Sequence, residues 1–298
     1  MDFNLQDGNN GIKIGNDGAA YVYFNDKEAG DPTKPQYVDH YFMKFENSDW
    51  SILTSFEGNL ISWNNEPANR KFALDSSNRG YLFFSRPRKE FVIVEDGYAE
   101  EFTILTLNSD GSLSATALDI DGAGRLYFGY HYDYYVGVSV KDGEAWIEHI
   151  AFETGEGSLS KLDMKVDSDS AIHLVIAHDD LLYVTNRTGD WTEETLPESG
   201  GRDVELELSS AGEPTVIRSS DRSSGYVTIS RRDATAEWTN EKVDAGFGEV
   251  VGASAALDST DAVHISHYMY GGKDGSGDAP LLYTTNASGT WVTEEIDR

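Results

Sequence analysis

One phrase recurs along this chain and constrains its fold more than any other feature. Its clearest copy is ALDSTDAVHISHY followed by LLYTTNASGTWVTEEI, within residues 256–296. A second is MKVDSDSAIHLVIAH followed by LLYVTNRTGDWTEETL, within 164–196. Weaker copies begin IKIGNDGAAYVYFND, ALDSSNRGYLFFSR, LDIDGAGRLYFGYH and LELSSAGEPTVIRSS. The apolar residue before each first turn anchors the register: Ile14, Leu74, Ile120, Val166, Leu208 and Leu257, at steps of 60, 46, 46, 42 and 49 residues. Each copy reads as four short strands. A tight turn rich in Asp, Ser, Asn and Gly follows the first strand, because those residues satisfy or tolerate turn geometry.

A period of ~40–50 residues with several alternating strands per unit is the pattern of propeller blades. The expected fold is therefore all-β: a six-bladed β-propeller with four antiparallel strands per blade. Blades are expected near 9–55, 69–106, 112–152, 158–197, 201–244 and 250–297, in one domain spanning 1–298. An aromatic residue opens each fourth strand: Trp50, Phe102, Trp146, Trp191, Trp238 and Trp291. These read as wedges between neighbouring sheets. His173 and His264 share one second-strand position with Tyr21, Tyr81, Tyr127 and Thr215, and read as packing residues.

Composition narrows the chemistry. The chain has 298 residues and no cysteine, which excludes a disulfide framework, a thiolate zinc site and a cysteine nucleophile. Lys and Arg number 23 against 52 Asp and Glu, a formal charge of −29. Phosphate backbones and anionic lipid repel such a surface, so neither nucleic acid nor membrane is an expected partner. No apolar run approaches the ~18–20 residues of a membrane helix. The opening MDFNLQDGNNG has neither a basic nor an apolar leader segment, so no signal peptide is expected in this chain. A monomer is expected, and a secreted or periplasmic location is favoured.

The segments Asn186-Arg-Thr-Gly-Asp-Trp191 and Asn286-Ala-Ser-Gly-Thr-Trp291 resemble loosened forms of the Asp-box turn of bacterial sialidase-like propellers. The defining aspartate is mostly absent. The resemblance implies a propeller scaffold over nearly the whole chain and does not imply sialidase activity.

The architecture implies a ligand site on the face carrying the connections between second and third strands and those from each fourth strand to the next unit. The long segments Asn25–Gln36, Phe56–Asn69 and Tyr268–Pro280 are expected to converge there, the second of them bringing Trp63. His131, His178 and His267 fall near the same rim, with His40 beside them. Neutral imidazoles from separate strands can form an open zinc site that activates water. Asp133, Asp221 and Arg218 are the candidate catalytic groups. Arg86, Tyr130, Tyr268 and Tyr270, with Trp63, are the candidate substrate contacts. A second possible metal is calcium, held by Asp119, Asp163 and Glu205 on the innermost strands. Lys161 and Lys165 interleave with those acids, so an ion-paired lining is the competing reading.

No GxSxG elbow, P-loop or dinucleotide fingerprint is present. The function expected from these residues is a metal-assisted hydrolase of small esters, lactones or phosphotriesters. The alternatives are a glycan-binding or glycan-cleaving propeller with aromatic stacking on the same face, and a non-catalytic interaction propeller. A small molecule or a glycan is the expected ligand.

Overall fold

The computed structural model describes residues 11–27, 38–46, 49–58, 72–86, 90–95, 98–106, 113–143, 145–155, 159, 161–197, 204–219, 225–233, 235–244, 249–270 and 280–297. Every regular element among them is a strand. The first sheet holds β1 (Gly11–Ile14), β2 (Ala20–Lys27), β3 (Val38–Glu46) and β4 (Asp49–Gly58). The second holds β5 (Phe72–Leu74), β6 (Gly80–Arg86), β7 (Glu90–Glu95) and β8 (Tyr98–Thr106). The third holds β9 (Leu113–Ile120), β10 (Leu126–Tyr132), β11 (Tyr135–Asp142) and β12 (Ala145–Glu153). The fourth holds β13 (Lys161–Val166), β14 (Ile172–Ala177), β15 (Leu181–Thr185) and β16 (Thr192–Thr195). The fifth holds β17 (Val204–Leu208), β18 (Pro214–Ser219), β19 (Tyr226–Arg232) and β20 (Trp238–Asp244). The sixth holds β21 (Glu249–Leu257), β22 (Val263–Tyr270), β23 (Leu281–Thr285) and β24 (Val292–Asp297).

In each sheet the strands pair in chain order, the up-and-down arrangement of a propeller blade. The chain divides into two compact units, 1–133 with 138–149 and 134–137 with 150–298. Second strands are the most buried. Every described position of β10, β14 and β18 is buried, which suits their aromatic and β-branched residues. Fourth strands such as β16 are largely exposed. In the second unit, alternate residues point to opposite faces. Val175, Ala177 and Tyr183 of the fourth sheet pack on Val204, Leu206 and Val216 of the fifth. Ile217, Val227 and Ile229 of the fifth pack on Val263, Ile265 and Leu282 of the sixth.

The turn between first and second strands is built alike in all six sheets. Its fourth residue takes a left-handed φ and donates its N–H back to the first. Gly124 does this toward Asp121 and Asp261 toward Asp258. A carboxylate then ties the turn to the second strand. Asp121 Oδ1 accepts the backbone N–H of Ala123 and of Arg125, both at 2.9 Å. Its Oδ2 accepts Arg125 Nε at 2.7 Å and the Tyr127 hydroxyl at 3.2 Å. Asp75 repeats this with Ser77, Arg79 and Tyr81. Asp17 bonds Tyr21 in the first sheet. Asp167 and Asp258 bond His173 and His264 in the fourth and sixth.

The fifth sheet lacks this latch. Ser209 Oγ accepts only the N–H of Glu213, and Thr215 has no ring to span to the turn. The expected six-bladed propeller is corrected on this point. Six four-stranded sheets are present, but five carry the bonded blade core. The fold is all-β and propeller-like, with five full blades and one divergent sheet rather than six equivalent blades. The physical reason is the loss of one carboxylate and one ring, which spacing and strand pattern do not register.

Burial alone would raise the pKa of Asp75 and Asp121, but backbone N–H and arginine hydrogen bonds outweigh it and hold both below 3.8. Their folded-state pKa is depressed, so the stability they contribute is present at neutral pH. It is lost as pH falls below the unfolded value toward the folded one. Asp121→Ala is expected to lower unfolding stability by about 2–4 kcal/mol, since it strips a buried turn of charge-assisted partners. Ser209→Ala is expected to cost about 1 kcal/mol or less. Urea denaturation checks the contrast, and equal losses would contradict it.

Candidate functional site

The rim residues expected from sequence differ in their surroundings. Tyr130, His131, Arg218 and His267 are all buried. His131 belongs to the first unit, whereas His178, Arg218 and His267 belong to the second. Among the described residues, no three His, Asp or Glu side chains stand close enough to hold a metal ion. Asp221 and Trp63, and the segments 28–37, 59–71 and 271–279, lie outside the described residues. Arg86 ends β6 and Tyr268 and Tyr270 lie in β22, but their side chains lie outside the description.

The described groups have these neighbours. The Tyr130 hydroxyl donates to the Glu148 carboxylate. Asp133 sits exposed in the β10–β11 turn with a left-handed φ of 50°. His178 lies in the turn after β14, with Nδ1 3.7 Å from Asp179 Oδ2. Arg218 Nη2 donates to the Pro197 carbonyl. His267, 0% exposed, shares a hydrogen bond between Nε2 and Thr284 Oγ1 at 3.0 Å, and Thr284 in turn bonds Thr293. On the innermost strands, Asp163 Oδ2 accepts the Leu206 N–H at 2.8 Å, and Lys165 pairs with Glu207 at 3.0 Å. Asp119 and Glu205 are half-buried on β9 and β17.

Among the described residues, a polar network with solvent access lies where the fourth sheet faces the fifth. Glu194 of β16 is its centre. Arg232 of β19 grips the carboxylate with both ends of its fork, Nη2 to Oε1 at 2.7 Å and Nε to Oε2 at 3.0 Å. The Trp238 indole N–H donates to Oε2 at 2.7 Å. Burial alone would raise the Glu194 pKa, but these bonds outweigh it and hold the pKa below the usual range. Glu194 in turn pushes Arg232 upward. Behind the indole, the Tyr183 ring meets Trp238 edge-on at 5.4 Å between centroids and 70° between planes. Arg187 and Glu213 extend the network at 3.1 Å.

The next seam has a related arrangement, with the arginine on the glutamate's own sheet. Trp291 donates its indole N–H to Glu241 Oε1 at 2.8 Å, and Arg231 Nη1 reaches Glu241 Oε2 at 3.1 Å. Trp238 and Trp291 are half-buried. The tryptophans therefore do span sheets, but as bonded, partly exposed groups rather than buried wedges. Sequence reasoning passed over Glu194, Glu241, Arg231 and Arg232. The available signal was a glutamate three residues after the tryptophans of the last three sheets: Trp191 with Glu194, Trp238 with Glu241 and Trp291 with Glu294.

No family model and no curated protein matches this sequence. Solved structures do match. A lectin, SapL1, in complex with alpha methyl fucoside superposes with a TM-score of 0.58 at 10% identity, covering 97% of this chain and 96% of that one. A PL25 ulvan lyase, a polysaccharide lyase solved bound to -[GlcA(1-4)Rha3S]-, gives 0.57 at 12% identity over 98% of this chain and 79% of its own. One of two prolyl endopeptidases gives 0.57 at 11% identity, and there 97% of this chain spans 43% of that protein. Identities this low establish the β-propeller fold and no more. The two Asp-box-like turns fit that scaffold: Asn186 Oδ1 accepts the Ile172 N–H and Asn286 Oδ1 accepts the Val263 N–H, each at 2.7 Å. A sialidase-like identity goes beyond these findings.

The His267 imidazole has a sharp consequence. Burial pushes its pKa down to about 4. The unfolded chain takes up this proton first, so acidification from pH 6.5 toward pH 4 favours unfolding through this group. The His267 imidazole resonances are expected to stay constant from pH 8 to pH 5 in two-dimensional NMR. A full titration above pH 5.5 would contradict the buried neutral ring.

Proposed function

We propose that this protein is a glycan-binding propeller whose sugar sites are the seams at Trp238 and Trp291. One observation carries the reading: a half-buried indole is fixed beside an arginine-bound carboxylate, twice, in consecutive seams. Sugars present an apolar C–H face and a fringe of hydroxyls. An indole supplies the flat apolar surface, and charged acceptors and donors at its edge take up hydroxyl hydrogen bonds. Both indoles are oriented through their own N–H before any ligand arrives, which reduces the ordering cost of binding. The net charge of −29 favours neutral over anionic sugars by simple repulsion. A neighbour in fold that is solved with a neutral fucoside supports the ligand class.

A glycan array followed by calorimetry tests this. Trp238→Ala is expected to weaken binding at its seam by about tenfold or more, equivalent to ~1.4 kcal/mol. Glu194→Gln is expected to weaken it similarly while leaving the β-sheet circular dichroism unchanged. Absence of any glycan ligand, or binding indifferent to both substitutions, would contradict the proposal.

A further inference from the structure

The Trp238 seam has a titratable group behind it that the Trp291 seam lacks. Second-strand ring positions and third-strand partners vary together through the repeat. Where the second strand carries Tyr81, the third-strand residue opposite Phe83 is Ile93. Where it carries Tyr21, the residue opposite Tyr23 is Phe42. Where it carries His173 or His264, the corresponding third-strand residues are Tyr183 and Tyr283. The shorter imidazole and the longer phenol fill the space together, and they also bond: His173 with Tyr183, His264 with Tyr283.

The direction of the His173 bonds follows from chemistry. Asp167 Oδ2 lies 3.2 Å from His173 Nε2, and a carboxylate only accepts, so Nε2 carries the proton. Nδ1 of the neutral ring is then an acceptor and takes the Tyr183 O–H. Burial pushes the Tyr183 pKa up to about 12, which keeps that hydroxyl protonated. Burial also pushes His173 below 6.5, against the opposing pull of Asp167. The other groups facing His173 are Lys165 on the paired strand, which is tied to Glu207 of β17, and Thr185 on β15. Arg187 and Glu213 act on it at longer range. A second proton on the ring would turn Nδ1 into a donor. The Tyr183 hydroxyl would have to rotate from donor to acceptor, and its ring lies edge-on against Trp238.

We propose that His173 is a positioning residue of the Trp238 seam: its protonation reverses the bond from Tyr183 and changes the surroundings of the Trp238 indole through the Tyr183 ring. The Trp291 seam is an internal control. Its preceding sheet carries Ser209, Thr215 and Ile229 at the equivalent places, none of which titrates. The consequence for sugar binding rests on the proposed seam function, but the coupling itself does not.

Fluorine NMR of protein labelled with 5-fluorotryptophan tests it without any sugar, with Trp238→Phe and Trp291→Phe assigning the two signals. From pH 8 to pH 4 the Trp238 signal is expected to move along a one-proton curve. Tyr183→Phe, which keeps the ring, is expected to reduce that movement by more than half. His173→Gln is expected to do the same, and the Trp291 signal is expected not to follow the curve. A Trp238 signal that does not move, that moves equally in Tyr183→Phe, or that moves in parallel with Trp291 would overturn the inference. The coupled titration in a protein that binds no glycan would leave this inference standing and overturn the proposed function instead.

Discussion

The turn carboxylate is the contact that ties the first hairpin together in five of the six sheets. A tight turn with a left-handed fourth residue leaves backbone N–H groups facing inward, and buried N–H groups must be satisfied. In four sheets an aspartate accepts two of them, in the first sheet Asp17 accepts one, and in all five the other oxygen bonds a ring on the second strand. That single side chain fixes the register of the hairpin and the rotamer of the ring. Where that ring is His173, Tyr183 of the third strand bonds it. Through Tyr183 the same chain of constraint reaches the surface at Trp238.

The two seams joining the fourth, fifth and sixth sheets are apolar inside and polar outside. Toward the interior, Val175, Leu206 and Val216, or Ile217, Ile229 and Ile265, supply non-directional burial. Farther out, the fourth strands carry charged residues, and the indole of one sheet bonds the glutamate of the sheet before it. Interior packing makes the sheets adhere. The directional Trp–Glu–Arg contacts fix their lateral registry and leave polar groups in reach of solvent. A binding site built from such contacts needs no catalytic motif and no metal.

The repeat, the strand order within each sheet and the turn residues were all legible in the sequence, because each is a local pattern of period 2 or of turn chemistry. His173 and His264 were read as packing residues, and their bonds to Asp167 and Asp258 show why they occupy a tyrosine position. The partnership of Glu194 with Trp238 was not legible, since 44 residues separate them and nothing local encodes which faces two sheets bring together. For the same reason the burial of His131 and His267 was not legible. The divergence of the fifth sheet was hidden because Ser209 still makes the turn, and only the missing carboxylate and ring distinguish it from the other five.

The most direct measurement of the central claim is a crystal structure of the protein with its tightest-binding sugar. The account places a sugar ring against the Trp238 indole, with hydroxyls within hydrogen-bond reach of Glu194 and Arg232. A sugar bound away from both the Trp238 and the Trp291 seams would contradict it.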